Sequence, residues 1–252
     1  MNPTRVLSAS RAASAEWRKI RTLPASWAGA AVALLGSLLI TVLNAYAVHA
    51  DPGAAAFTAP LEVAFAAMPL GTVGATVIGV TVFSSEYAGE RQITTSLAAV
   101  PDRVLTLAAK AIVVALSIAA IAAVTMPLTI GTARLMIGET VNVREAITRC
   151  LGAALYWILS GLIGLAITVF TRSGVVPLVV LVVNSSVVSF SLLLSKISPL
   201  GFWMPDMAGR RLFGGVPATE GGLGTVPGAL VMAGWTVLLL AAATAAFHRR
   251  DA

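Results

Sequence analysis

The sequence predicts an all-α integral membrane protein, on three observations. Hydrophobic residues make up 58% of the 252-residue chain and charged residues only 11%, against roughly 25% charged in a soluble domain; the mean hydropathy is +0.90. Six apolar runs reach about 20 residues, the length a bilayer core demands of a helix. Nearly all of the charge sits at the ends of those runs. The short alternating segments of an outer-membrane barrel are absent. The single cysteine, Cys150, excludes an intramolecular disulfide and a cysteine-ligated cluster within one chain. A net charge of +6 and a pI near 10.2 would raise nucleic-acid binding in a soluble protein. Here the cations flank apolar runs, so membrane orientation explains them and no nucleic-acid partner is expected.

Residues 1–26 form a basic arm carrying Arg5, Arg11, Arg18, Lys19 and Arg21, opposed only by Glu16. The apolar run that follows is longer than the roughly 7–15 residues of a signal peptide, so it is read as an uncleaved span. Trp17, Ile20 and Leu23 fall at helical spacing, with Arg18, Lys19 and Arg21 on the other side. That pattern predicts a short helix in the membrane interface, its cations near anionic lipid head groups. Residues 1–13 are expected to be a disordered basic tail, and Pro24 to turn the chain into the first span.

The six spans are expected over 27–48, 61–84, 104–128, 146–170, 175–194 and 225–247, with the third able to extend toward Met136. Asn184, Ser185 and Ser186, with Ser189 beyond, place a polar stripe in the fifth; it either forms hydrogen bonds between helices or lines a substrate path. Gly71, Ala75 and Gly79 in the second span, and Ser160, Gly164 and Thr168 in the fourth, make small-residue faces. These serve packing within the chain or a seam between two copies. With the N-terminus inside, Arg5, Arg11, Arg18, Lys19, Arg21, Arg91, Arg103, Lys110, Arg172, Arg249 and Arg250 are cytoplasmic. The smaller set, Arg134, Arg144, Arg149, Lys196, Arg210 and Arg211, is external, so both termini are expected in the cytoplasm. The external segment 195–224 is too apolar for a solvated loop, with Phe202, Trp203, Met204, Met207 and Phe213 among its prolines and glycines. It is expected to dip partly back into the outer leaflet or to pack over the bundle.

The polar segment 85–103 interrupts the second and third spans. Tyr87, Ile93, Leu97 and Val100 predict a short amphipathic helix stopped at Pro101. It is either a solvated connector or a cytoplasmic surface on which a partner pushes. Lys110 lies about two turns into the third span; the simpler reading is a cation reaching back to the interface, the other a pairing with Glu86 or Glu90. The spans hold no ionisable residue at mid-depth, which disfavours a proton-coupled carrier. There is no H-E-x-x-H pair, no G-x-S-x-G elbow and no G-x-x-x-x-G-K-[ST] loop. No catalytic, metal or cofactor site is therefore expected on this chain.

Three features together resemble the permease subunits of type-2 ABC exporters, as found in actinobacteria. They are Glu16-Trp-Arg-Lys-Ile-Arg-Thr-Leu23 followed by Trp27, the segment from Glu86 through Thr94-Thr95 to Pro101-Asp-Arg103 with Lys110, and six spans with a bulky external insertion before the last. Where the family often has Gly before the Thr pair, this chain has Gln92-Ile93, with Gly89 further back. The resemblance implies one permease domain over 1–252 in the bacterial cytoplasmic membrane. It would pair with a second copy or a paralogous permease and be driven by a separate cytoplasmic ATPase that binds ATP and magnesium. It implies that the segment after the second span is the coupling helix, with Glu86, Tyr87, Glu90, Arg91, Ile93, Thr94, Thr95 and Leu97 facing the ATPase. Trp17, Arg18, Lys19 and Ile20 would belong to the interfacial connecting helix. A non-transporting anchoring or assembly protein is the second reading, a secondary transporter the third.

Overall fold

The computed structural model describes residues 3–51, 53, 58–87, 103–186, 189–214 and 223–249, without the side chains of residues 3–12, Arg103 and Ser186. The described residues contain helices and turns but no strand. The arm is helix α1, Pro3–Thr22, so the helix reaches well into the stretch expected to be a disordered tail. After Leu23 the first span, α2, runs over Pro24–Ala50 and begins with proline at its first position, where a missing N–H costs nothing. It contains a π-turn at Val32–Gly36.

The second span, α3, covers Pro60–Ser84. It is interrupted between Phe65 and Met68, because Pro69 lacks the N–H that would bond back to Phe65. The third, α4, runs from Arg103 to Ile137, well past 128, and tolerates Pro127 in its interior. The fourth, α5, is Val143–Thr171; Asn142 caps it by accepting from the N–H groups of Arg144 and Glu145. Arg172 ends it in the left-handed region, at φ 51°.

The fifth span is not one continuous helix over 175–194. It is split into α6, Val175–Ser186, and α7, Phe190–Ile197, bent by 54°. The polar stripe supplies the break: Asn184 Oδ1 accepts from the Phe190 N–H at 2.9 Å, and Ser189 Oγ from the Leu192 N–H at 3.2 Å. These side chains offer the backbone partners outside the helical ladder. Helix α9, Thr225–Arg249, is the last.

Helices α6 and α7 together are long and apolar enough for one bent span. Phe83 at the end of α3, Leu107 near the start of α4, Val169 near the end of α5 and Phe247 near the end of α9 share one cluster, with the Phe83 and Phe247 rings 5.6 Å apart. At the opposite end, Gly152 of α5 meets the Leu212 backbone and Gly228 of α9 meets Ala208. Helices α5 and α9 therefore run the same way, and the chain between them has to return across the bundle. The described residues thus hold five helices long and apolar enough to cross a membrane, or six spans if the bent pair is counted as one. Residues Glu16–Thr22 and the end of α9 lie at the same end of the bundle.

Helices α3 and α5 form the centre of the core. A Cβ on Gly71 would overlap the Trp157 ring, and one on Gly79 would overlap the Gly161 carbonyl. Gly164 likewise faces Val80 and Thr76. The small-residue faces of the second and fourth spans are thus filled within this chain. The segment after α7 folds as a turn at Pro199–Trp203, helix α8 at Pro205–Gly209 and a turn at Arg210–Leu212. It packs down the bundle: Gly209 sits against Tyr156 and Met232, the Trp235 Nε1–H donates to the Trp203 carbonyl at 2.9 Å, and Phe213 meets the Tyr156 ring edge-on at 5.3 Å. Trp235 lies ten residues into α9, about 15 Å at the helical rise.

Candidate functional site

The densest chemistry in the described residues lies at the base of the 88–102 segment. Glu86 sits just past the end of α3 and Lys110 about two turns into α4. The Lys110 ammonium donates to Glu86 Oε1 at 2.7 Å and to Glu16 Oε1 on α1 at 2.8 Å. The Lys19 ammonium, one turn beyond Glu16 on α1, donates to the same Glu86 oxygen at 2.7 Å. Two carboxylates and two ammoniums give no net formal charge. Lys110 is 0% exposed, Glu86 1% and Glu16 9%, while the Lys19 side chain keeps 22% of its surface.

Lys110 is therefore not a cation reaching back to the interface; it is enclosed and paired with carboxylates from two other elements. Reaching back would leave Glu16 buried without the ammonium that pairs it and take one of two ammoniums from Glu86, whereas pairing leaves both carboxylates compensated. Sequence reading weighed Glu86 as a partner and missed Glu16, 94 residues away. The one usable signal was that Glu16 is the sole acid in the arm.

Burial pushes the Glu86 carboxyl up. The Lys110 ammonium, by charge and hydrogen bond, and then that of Lys19 outweigh this and hold it below its ordinary value of 4.5. A carboxyl lowered in the folded state stabilises above its unfolded value and loses that contribution as pH falls through the lowered one. Among the described residues, Glu86 faces Lys110 from α4 and Lys19 from α1, and Glu16 shares Lys110 with it. The difference in melting temperature between the unsubstituted chain and Glu86→Gln is expected to stay constant from about pH 8 to about pH 5.5 and to shrink only in stronger acid. Melting curves across that range check it.

The arm residues divide between two faces. Ile20 is buried and Lys19 is paired inward, while Trp17, at 39% exposure, and Arg18 point away from the bundle. The junction to α2 is stitched by the Trp27 Nε1–H donating to the Arg21 carbonyl at 2.8 Å. Glu86 and Tyr87 both lie against the bundle; the Tyr87 ring is 5.4 Å from that of Phe83, and the Arg172 guanidinium lies 5.7 Å from its centre. Glu90, Arg91, Ile93, Thr94, Thr95 and Leu97 fall outside the described residues. Ser189, besides capping α7, donates to Asp206 Oδ2 at 2.9 Å, and Ser185 donates to the Val182 carbonyl at 3.2 Å. The polar stripe thus holds a broken helix against the inserted segment.

The family model for ABC-2 family transporter proteins matches residues 13–203, from the arm through the fifth crossing to Trp203. The chain belongs to the ABC-2 transporter family. Among curated proteins no match was found. In this ABC-2 membrane subunit the matched span includes all four residues of the ion cluster and ends before α9. Among the described residues no group of histidine, cysteine, aspartate and glutamate is placed to hold a metal ion.

Proposed function

We propose that the chain is the permease subunit of an ATP-driven exporter in the bacterial cytoplasmic membrane. Two permeases would enclose the path. Separate ATPase subunits, holding ATP and magnesium, would seat on residues 88–102. Family membership supports the transporter class. The observation that carries the placement of the ATPase is the Glu86–Lys110 pair, which ties the two stems of that segment together at one end of the bundle. A segment on a fixed base transmits a rigid-body push; one on loose stems would absorb it. The basic residues put this end, and both termini, in the cytoplasm. The chain is non-catalytic in this reading, and the outward face of the arm, with Trp17, Arg18 and Arg21, lies against lipid head groups. The inserted segment alongside Trp235 enters the outer leaflet and caps the exit.

The ATPase expressed with this chain is expected to co-purify with it. Arg91→Glu together with Ile93→Asp should leave the permease in the membrane but sharply reduce the bound ATPase or its rate of ATP hydrolysis, because charge and apolar contact at a small docking surface set pairing and register. Unchanged subunit ratio and unchanged hydrolysis would sink the assignment of this segment. A chain that never retains an ATPase would favour the anchoring or assembly role.

A further inference from the structure

Most buried hydroxyls of the spans bond back to their own helix. Thr41, Thr72, Thr76, Ser117, Thr129 and Thr168 each donate to a carbonyl three or four residues earlier, at 2.7–3.0 Å. Ser37 on α2 and Thr125 on α4 do not. Both are 0% exposed, and among the described residues neither hydroxyl has a hydrogen-bond partner. The Trp157 Nε1–H on α5 is in the same position, in a side chain that is also 0% exposed. Their hydroxyl and indole groups point into the core and away from their own backbones.

The three groups stand at one level of the bundle. Ser37 and Trp157 are the midpoints of α2 and α5. Both meet the same turn of α3: Gly36 lies against Leu70, and Gly71 lies under the Trp157 ring. On α4, Ile118 lies against Gly161. Helices α4 and α5 are antiparallel, so Trp157 is level with Ala122, and Thr125 is less than one turn beyond it. Helical side chains lean towards their own N-terminus. Ser37 and Thr125 therefore lean towards the ion-cluster end and Trp157 away from it, so the three converge. The backbone is irregular at the same depth. Pro69 deprives the Phe65 carbonyl of its helical partner, and the Leu70 N–H donates to the Ala67 carbonyl at 3.2 Å, one residue short of the regular ladder. Pro127 does to the Ala123 carbonyl what Pro69 does to that of Phe65. The π-turn of α2 ends beside Ser37.

We propose that this level is a closed water-binding site, in which bound water links Ser37 Oγ, Thr125 Oγ1 and Trp157 Nε1 to the carbonyls released by Pro69 and Pro127. Water suits the chemistry because it both donates and accepts. The indole N–H needs an acceptor, the released carbonyls need donors, and the hydroxyls serve either way. Several groups within reach of one point supply the partners that a buried water requires. Bound water and Ser/Thr hydroxyls are also what let a membrane helix carry proline without leaving backbone groups bare. No carboxylate, ammonium or guanidinium lies on these four helices at this depth, so an ion would find no counter-charge. The proposal does not rest on the transporter reading.

The test is brief X-ray radiolysis of the full chain in lipid nanodiscs, read by mass spectrometry. Radiolysis makes hydroxyl radicals from bound as well as bulk water, and these oxidise the side chains they touch. Met68 and Met126 are each 1% exposed and adjoin Pro69 and Thr125 in the chain; Met232, also 1% exposed, packs against Gly209 and is the internal control. Met68 and Met126 should be oxidised about fivefold faster than Met232 or more, since thioether oxidation follows access to the oxidant. Ser37→Ala and Thr125→Val should each bring that ratio towards one and lower the melting temperature by about 2–4 °C, the loss of one satisfied hydrogen bond in a chain of this size. A ratio near one in the unsubstituted chain would overturn the proposal, and it needs no variant to fold. An unchanged ratio in both variants would overturn it too, as would an unchanged or raised melting temperature, because a bare hydroxyl is better removed. Ser37→Cys in a Cys150→Ser background should resist a cationic, water-soluble methanethiosulfonate; rapid reaction would mean an open aqueous path and no closed site.

Discussion

Lys110→Met is expected to cost the fold about 3–5 kcal/mol, the usual penalty for removing one partner of a buried ion pair. The reason is the two carboxylates left behind more than the lysine lost. Glu86, at 1% exposure, would lose one of its two ammoniums, and Glu16, at 9%, would lose the ammonium that now lies 2.8 Å from its carboxylate. Met fills the aliphatic volume of the lysine side chain, so the loss is electrostatic and not a cavity. Adding Glu86→Leu and Glu16→Gln should recover most of the stability, because well-packed neutral residues often equal or exceed a buried ion set. Thermal melting of the detergent-solubilised protein, followed by size-exclusion chromatography, measures both. A cation merely reaching back to the interface would give a change within about 0.5 kcal/mol, as at ordinary surface positions. That result would refute the burial of Lys110.

Gly79→Ala is expected to be the other large effect, of about 1–3 kcal/mol, as for overpacking in a close-packed core. The added methyl group would meet the Gly161 carbonyl, which is backbone and cannot rotate away. Relief requires α3 and α5 to separate, and these two helices carry the centre of the core, including the fully buried Trp157. Gly131→Ala in α4 is the control: nothing lies within 4 Å of a Cβ built there. The change should be neutral or stabilising by up to about 1 kcal/mol, since alanine is the better helix former. The same melting assay therefore predicts opposite signs for two chemically identical substitutions. Equal effects would refute the close α3–α5 approach.

The helix boundaries and the charge cluster were legible to different degrees. The spans could be read because each is a run of apolar side chains whose length answers to the bilayer. Their ends shifted where a local feature intervened: Pro24 begins α2, Asn142 caps α5, and α4 continues through Pro127 to Ile137. The break in the fifth crossing was visible as polar residues but not as a break. Asn184 and Ser189 hydrogen-bond well in either an intact or an interrupted helix, and only the position of the Phe190 N–H and of Asp206 selects the second. Gly71 and Gly79 were recognisable as a packing face. Whether that face met its own chain or another copy depended on where α5 lay.

By itself the sequence determined the class of protein, most of its spans, the basic arm and the position of the polar 85–103 segment. Each follows from properties additive along the chain, such as hydropathy, helical spacing and the placement of cations. The tertiary structure alone decided that Lys110 is enclosed, that Glu16 is its partner, and that Glu86 joins the arm to both stems. Glu16 and Lys110 stand 94 residues apart. A carboxylate and an ammonium recognise each other through distance and local dielectric, and sequence separation sets neither.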